Sequence, residues 1–243
     1  YPNTNLLFGA STHEAFLTDN APDIHARRFR DGLGWYLSYN SAFIFDGTGR
    51  IERTDKSKLV VGSELTPYPE LFVPLDDALG GVMGRDVPQG YAKNLHVVEY
   101  SQDGYVERTI PIGVPICYES IYPEFCAQYI RKGALALCVI TNDGWWGNTA
   151  GYRQHFSYSR LRAIELRRDI ARCANTGISA FIDQRGDVLE QSKWWTPDVL
   201  ESKINLTLYQ TFFAKYGDII GRICTMMAVM LVLALCVKFI VKK

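Results

Sequence analysis

The chain is 243 residues long, 47% hydrophobic and 21% charged, with 26 Lys and Arg balanced by 26 Asp and Glu. That is a globular composition, long enough for one substantial core or two modest ones. With zero formal charge and no basic run interleaved with aromatics, it argues against a nucleic-acid surface. The six cysteines and four histidines show no CxxC, HxxxH or HExxH spacing, so no metal site is expected.

In chain order, strand-like sequence starts almost at once, at Asn5-Leu6-Leu7-Phe8-Gly9, and the first residue is Tyr1. Together these suggest a cut inside a domain. Ser41 to Asp46, a Gly47-Thr48-Gly49 turn and Ile51 onward read as a hairpin. Lys56 and Lys58 then stand at i and i+2, so a strand would put both on one face and periodicity does not choose between them. Each alone reads as a solvated lysine, and Glu64 as a surface carboxylate. Pro67 to Pro74 reads as a surface loop.

The apolar runs Val114–Cys117 and Leu135–Thr141 read as central strands buried on both faces. Tyr122 to Arg131 and Arg153 to Arg168 read as helices, the second with an apolar stripe at Tyr158, Leu161 and Ile164. Its arginines Arg160, Arg162, Arg167 and Arg168 read as a solvated face. Asn142-Asp143 and Asn175-Thr176-Gly177 read as turns, and Ile178 to Leu189 repeats the hairpin grammar around Gln184-Arg185-Gly186. Strands alternating with helices fit an α/β layered sandwich.

A different physical character begins near residue 211, dividing the chain into 1–210 and 211–243. Ile223 to Val237 is a run of fifteen uncharged residues, closed by Lys238, Lys242 and Lys243. It is short of the roughly 20 residues a bilayer needs, but Lys238 can snorkel and extend the usable stretch to roughly 19. The segment reads as a transmembrane helix in which Cys224 and Cys236 act as small hydrophobes. The lysine-rich end would lie in the cytoplasm and the preceding domain outside, a signal blunted by Lys215 and Arg222 on the other flank.

Cys117 stands where an apolar strand runs out into Tyr118 and Glu119, a place to present a nucleophile at a sheet's end. A thiol of ordinary pKa, about 8.5, needs a base or cation beside it. Glu119 shares the face of Cys117 on an extended strand. A carboxylate alone would raise the thiol's pKa, so a cation is also required.

The order of blocks DKSKLVVGSE, PICYES, TNDGWWGNTAGYRQH and RLRAIELRRDIARCANTGISA resembles that of the nitrilase (carbon–nitrogen hydrolase) superfamily. Within it, CYE, the N-D-x-W-[FW]-G block and a C-terminal membrane helix resemble the bacterial apolipoprotein N-acyltransferase branch. The resemblance implies a nitrilase-like α-β-β-α sandwich followed by one transmembrane helix. It implies a Glu-Lys-Cys triad, with Cys117 as nucleophile, Lys56 as the cation of the thiolate and oxyanion, and Glu64 and Glu119 orienting Lys56. A backbone N–H near Tyr118 would complete the oxyanion hole, and Trp145 and Trp146 would wall an acyl site. By residue type alone, those two tryptophans read as core or interface aromatics.

The implied reaction moves an acyl chain from a membrane phospholipid, through a Cys117 thioester, to the N-terminal amine of a diacylglyceryl-cysteine apolipoprotein. It runs at the inner membrane with the catalytic domain on the periplasmic face, and requires neither cofactor nor metal. The chain departs from the family pattern in lacking a Pro-Glu ahead of Leu6, where the triad's general base is expected. Its base and the preceding membrane helices are therefore expected upstream of Tyr1, and the piece alone is expected to be inactive. Thr54 and Val61 are smaller departures. A membrane-tethered amidase or nitrilase, with water as acceptor, shares the same triad. A non-catalytic lipoprotein-binding remnant would account for the missing glutamate.

Overall fold

Strand β3 (Trp35–Phe45) organises the first of two sheets, and a computed structural model describes residues 4–241 of the chain. Its β-branched, aromatic and small residues alternate between faces as a pleated ribbon requires. Strand β1 (Leu6–Phe16) pairs antiparallel along one edge of β3, in unbroken register from Leu6 opposite Phe45 to Phe16 opposite Trp35. On the other edge, β2 (Arg27–Arg28) and β4 (Ile51–Asp55) pair with β3. The β3–β4 turn is the expected one. Asp46 accepts from the Thr48 and Arg50 amides and from the Thr48 and Tyr100 hydroxyls. Burial would raise its pKa, but these bonds outweigh burial and bring it down to about 2.

The second sheet has the order β10-β9-β8-β7-β6-β5. Its members are β5 (Leu95–Tyr100), β6 (Val106–Gly113), β7 (Ala136–Thr141), β8 (Ile170–Ala174), β9 (Ala180–Ile182) and β10 (Val188–Gln191). The central β6-β7-β8 trio is parallel and the outer pairings are antiparallel. Parallel neighbours need crossovers. Helix α2 (Pro123–Arg131) supplies one between β6 and β7, and α3 (Ala150–Leu166) the other between β7 and β8.

The two faces of β7 show how the layers are held. Leu137 and Val139 join Phe125, Tyr129, Ile130, Ala163 and Leu166 beneath the helices. Cys138 and Ile140 turn the other way, towards Ala42 and Ile44 of the first sheet with Leu95, Ile110 and Ile112. The chain is thus a mixed α/β sandwich of sheet, sheet and helices. Among the described residues no helical layer covers the outer face of the smaller sheet.

Three elements differ from the sequence reading. Pro67 to Pro74 contributes to helix α1 (Pro69–Ala78), because Pro69 takes the opening turn, where no amide is needed. The strand expected at Val114–Cys117 stops early. β6 ends at Gly113, and the chain touches β7 again only at the Ile116–Ile140 bridge before turning away.

The stripe of Tyr158, Leu161 and Ile164 is exposed. The buried face of α3 is Tyr152, His155, Phe156, Ser159, Arg162, Ala163 and Leu166. Two of the four arginines read as solvated are therefore buried. Arg162 donates to the Ser120 and Ile121 carbonyls, and Arg168 to those of Ala134, Leu166, Arg167 and Tyr209. Burial brings the Arg168 guanidinium down to about 10. Backbone carbonyls, which carry no sequence signature, and for Arg162 an ion pair with Glu165, make these burials tolerable.

After β10 the chain returns across the helical layer. Helix α4 (Phe212–Tyr216) buries Ala214 in the cluster of α2 and α3. Helix α5 (Ile219–Val241) leaves the body as 23 residues long and apolar enough to cross a membrane, with none of its side chains buried. Lys242 and Lys243, which weigh on its orientation, lie outside the described residues, as does Tyr1.

Candidate active site

The loops that follow the three parallel strands converge at one end of the larger sheet, the usual place for a site in such a sheet. Cys117 follows β6, Asn142 to Trp146 follow β7, and Asn175 follows β8. The loop after β4, with Lys56 and Glu64, closes over them. A cavity of about 210 Å³ is lined by Val60, Ser63, Glu64, Cys117, Tyr118, Trp145, Trp146 and His155. A larger groove of about 610 Å³ continues from Cys117 along β1, past Leu7, Gly9 and Ser11.

The structure separates the two lysines that periodicity could not. The strand ends at Asp55, so Lys56 and Lys58 are not two residues of one pleat. Lys56 is fully buried, its Nζ 2.7 and 2.8 Å from the two oxygens of Glu64. Lys58 is exposed, its ammonium 5.5 Å from the centre of the Phe125 ring. Glu64 is not a surface carboxylate. It also accepts from the Val60 amide at 2.8 Å and from Asn40 at 3.3 Å. Lys56 thus stands directly behind the part of the cavity wall that Glu64 forms.

Cys117 opens a short 3-10 turn, Cys117–Ile121, rather than closing a strand. Its φ of 52° is left-handed, a conformation that costs a non-glycine residue about 1–3 kcal/mol and persists only where the surroundings impose it. Here the surroundings are hydrogen bonds to its carbonyl, from the Ser120 hydroxyl at 2.8 Å and with His155 Nε2 at 3.1 Å. Cys126 and Cys138 contrast with it. Burial pushes both thiols up to about 12, far from a reactive thiolate.

Glu119 does not lie beside Cys117 as an extended strand would place it. The 3-10 turn carries it inward, where it is 1% exposed. Its carboxylate goes to backbone amides rather than to the Lys56 ammonium: Ser57 at 2.6 Å, Lys58 at 3.1 Å and Ile116 at 2.8 Å. Burial pushes its pKa up to about 7, opposed by those amides and by the Lys56 charge.

Trp145 and Trp146 form a second short 3-10 turn at the cavity mouth, 74% and 40% exposed. They are rim residues, not core.

Asp143, His155 and Arg172 are site neighbours that the sequence reading missed. Asp143 does more than shape a turn. It is fully buried and accepts from Thr141 Oγ1 at 2.8 Å, His155 Nδ1 at 2.7 Å and Arg172 Nη2 at 2.7 Å. Burial would raise the Asp143 carboxyl, but the His155 bond and the Arg172 charge hold it below the usual range. Gly177 is obligatory above it, since a Cβ there would stand 2.3 Å from its Oδ2. One signal was available. Arg172 sits in the middle of a short apolar strand, Ile170-Ala-Arg-Cys-Ala174, where a charge requires a buried partner.

Comparison with known proteins agrees with this architecture. The carbon–nitrogen hydrolase family model matches residues 27–212, most of the chain and every strand of the two sheets except β1. This chain belongs to the carbon–nitrogen hydrolase family. It is similar to the apolipoprotein N-acyltransferases of Chlorobaculum tepidum, 35% identical over 84% of this chain, and of Geobacter metallireducens, 33% identical over 79%. A third, from Thermotoga maritima, is 32% identical over 74%. The chain spans 38%, 35% and 33% of the lengths of those three relatives.

Solved carbon–nitrogen hydrolase structures resemble it more distantly. Saccharomyces cerevisiae Nit3, a nitrilase-superfamily member, is 18% identical with a TM-score of 0.45, over 71% of this chain and 54% of that one. An amidase from Nesterenkonia sp. is 16% identical with a TM-score of 0.45, over 67% and 53%.

Proposed function

We propose that this carbon–nitrogen hydrolase chain is the acyl-transferring part of an apolipoprotein N-acyltransferase, with Cys117 as nucleophile. The observation that carries the reading is the placement of Cys117. It is a strained, cavity-lining cysteine facing a carboxylate that is itself held by a buried lysine. The similarity to curated N-acyltransferases supplies the choice of acceptor.

In this reading the Cys117 thiolate attacks the ester carbonyl of a phospholipid. The tetrahedral oxyanion is met by the Lys56 ammonium and a backbone N–H near Tyr118. Collapse breaks the ester C–O bond, and the lysophospholipid leaves with the proton the thiol gave up. The acyl chain stays as a thioester on Cys117. The α-amine of a diacylglyceryl-cysteine then attacks it, gives its proton to the glutamate base of the implied triad, which had earlier carried the thiol's proton to the lysophospholipid, and expels the thiolate. Glu64 holds the Lys56 ammonium, and Glu119 ties the Ser57 and Lys58 amides that follow it to the Ile116 amide ahead of Cys117. Trp145 and Trp146 offer amphipathic rings to the donor's acyl chain at the lipid boundary. Helix α5 keeps the site at the bilayer surface, with the catalytic body on the periplasmic side of the inner membrane.

Peptide mass spectrometry of the full-length protein from its native membrane, without thiol treatment, tests this reading. An acyl mass on the Cys117 peptide, released by neutral hydroxylamine and absent in Cys117→Ser, is expected. An unmodified Cys117 in protein supplied with phospholipid would overturn the transferase and favour a hydrolase.

A further inference from the structure

Cys117 is held in a left-handed conformation, and its carbonyl is the group that receives the restraint. Two side chains meet there, the Ser120 hydroxyl at 2.8 Å and the His155 ring at 3.1 Å. The ring is itself fixed from the far side. Its Nδ1 lies 2.7 Å from Asp143 Oδ1, and Asp143 is anchored by Arg172 and Thr141. An ionised carboxylate only accepts, so Nδ1 carries a proton towards Asp143. The Cys117 carbonyl also only accepts, so a bond to it needs a proton on Nε2 as well. The ring is then the doubly protonated form facing the Asp143 carboxylate, and its Nε2–H is shared between the Cys117 carbonyl and Ser120 Oγ, each at 3.1 Å. The chain Arg172–Asp143–His155–Cys117 thus runs from β8, through the β7 loop and α3, to the turn after β6. It lies within the body, with Asp143, His155 and Arg172 all buried.

We propose that His155 is a positioning residue for Cys117. Oriented by Asp143, it donates through Nε2 to the Cys117 carbonyl, and this bond imposes the left-handed backbone that presents Sγ to the cavity. The assignment rests on reading Cys117 as the nucleophile. It differs from that reading in being about the peptide unit and not about the bond made to substrate.

The test compares two amides at position 155 in the full-length protein, by the rate at which iodoacetamide alkylates Cys117. His155→Gln places its amide nitrogen near the imidazole Nε2 and can still donate to the Cys117 carbonyl. His155→Asn is shorter, so its amide reaches only towards Asp143. Asp143 keeps Thr141 and Arg172 in both variants. Since the chemistry of the two side chains is the same, thermal unfolding should move alike in the two.

Small misplacements of a reacting group cost up to about 100-fold in rate, so His155→Asn should slow alkylation by about 10- to 100-fold while His155→Gln stays within about threefold of the native rate. Equal rates in the two variants, whether both native or both slow, overturn the proposal, because the imidazole would then be acting through packing alone. Cys117→Ser identifies the labelled sulfur. A native protein that alkylates at Cys117 but never carries an acyl group would sink the transferase reading and leave this comparison standing.

Discussion

The Ser57 amide donates a 2.6 Å hydrogen bond to the Glu119 carboxylate, across 62 residues of sequence. That bond joins the loop of the buried lysine to the turn of the cysteine, and the Lys58 and Ile116 amides complete the set. Glu119→Ala leaves the buried Ser57 and Ile116 amides unpaired, each costing about 1–3 kcal/mol, and frees the part-buried Lys58 amide. A thermal melt should show a large loss of stability, together with slower alkylation of Cys117. A variant that melts like the native protein would show that the two loops are held by something else.

Glu119 also sets a pH window. Its folded pKa lies near 7, above the ordinary 4.5, so the native state prefers the protonated form. The stability this group confers is complete below pH 4.5 and is lost as pH rises towards 7. Relative to Glu119→Gln, the native protein should lose on the order of 3 kcal/mol across that window. Denaturant titrations of both proteins at several pH values measure it; a constant difference would refute the shift.

Lys56 and Lys58 should respond oppositely to substitution by methionine. Lys56 is buried against Glu64, while Lys58 is exposed. Loss of one oxyanion-stabilising group costs about 100- to 1,000-fold, so Lys56→Met should abolish measurable thioester formation. Lys58→Met should leave it intact. Equal sensitivity of the two lysines would remove the reason for assigning the role to Lys56.

The Asp143–Arg172 pair is a buried ion pair with no exposure on either side chain. Removing one partner strands the other, at about 3–5 kcal/mol. Arg172→Met should therefore unfold at markedly lower denaturant concentration. The exposed Arg185, beside Asp183, serves as control, since Arg185→Met should cost within about 1 kcal/mol.

Deleting residues 219–241 from the 243-residue chain expressed by itself should move it from a carbonate-washed membrane pellet to the supernatant, because α5 buries nothing against the body. Retention in the pellet would place the membrane contact elsewhere on the molecule.

Much of the architecture was legible because strands and crossovers write their periods locally. The β3–β4 hairpin, β7, α2 and the apolar C-terminal helix all follow from runs of a few residues. What was not legible depends on distant partners. The buried face of α3 carries His155 and Arg162, and its exposed face carries Tyr158, Leu161 and Ile164, the reverse of a hydrophobic stripe reading. The carbonyls of Ser120 and Ile121, with Glu165 for Arg162 and Asp143 for His155, make the inversion possible. Likewise the choice of Lys56 over Lys58 depends on where β4 ends, and the role of Asp143 on an arginine 29 residues later.

One last feature lies where helix α5 begins. Glu124 of α2 accepts from the Asp218 amide at 3.0 Å and from Arg222 at 2.7 and 2.8 Å. Gly217 turns the chain there with a positive φ of 75°, and a Cβ would press on the Glu124–Arg222 pair, 2.6 Å from Glu124 Oε1. The body is thus joined to its helix through a short hydrogen-bonded turn instead of a free linker. In the proposed reading α5 spans the bilayer, and a mast of about 34 Å joined in this way would set both the height of the Cys117 cavity above the lipid and the compass direction it faces. Substrates diffusing in the membrane plane would meet a gate of constant altitude. Two inserted glycines at the joint, with every site residue untouched, would let that gate swing.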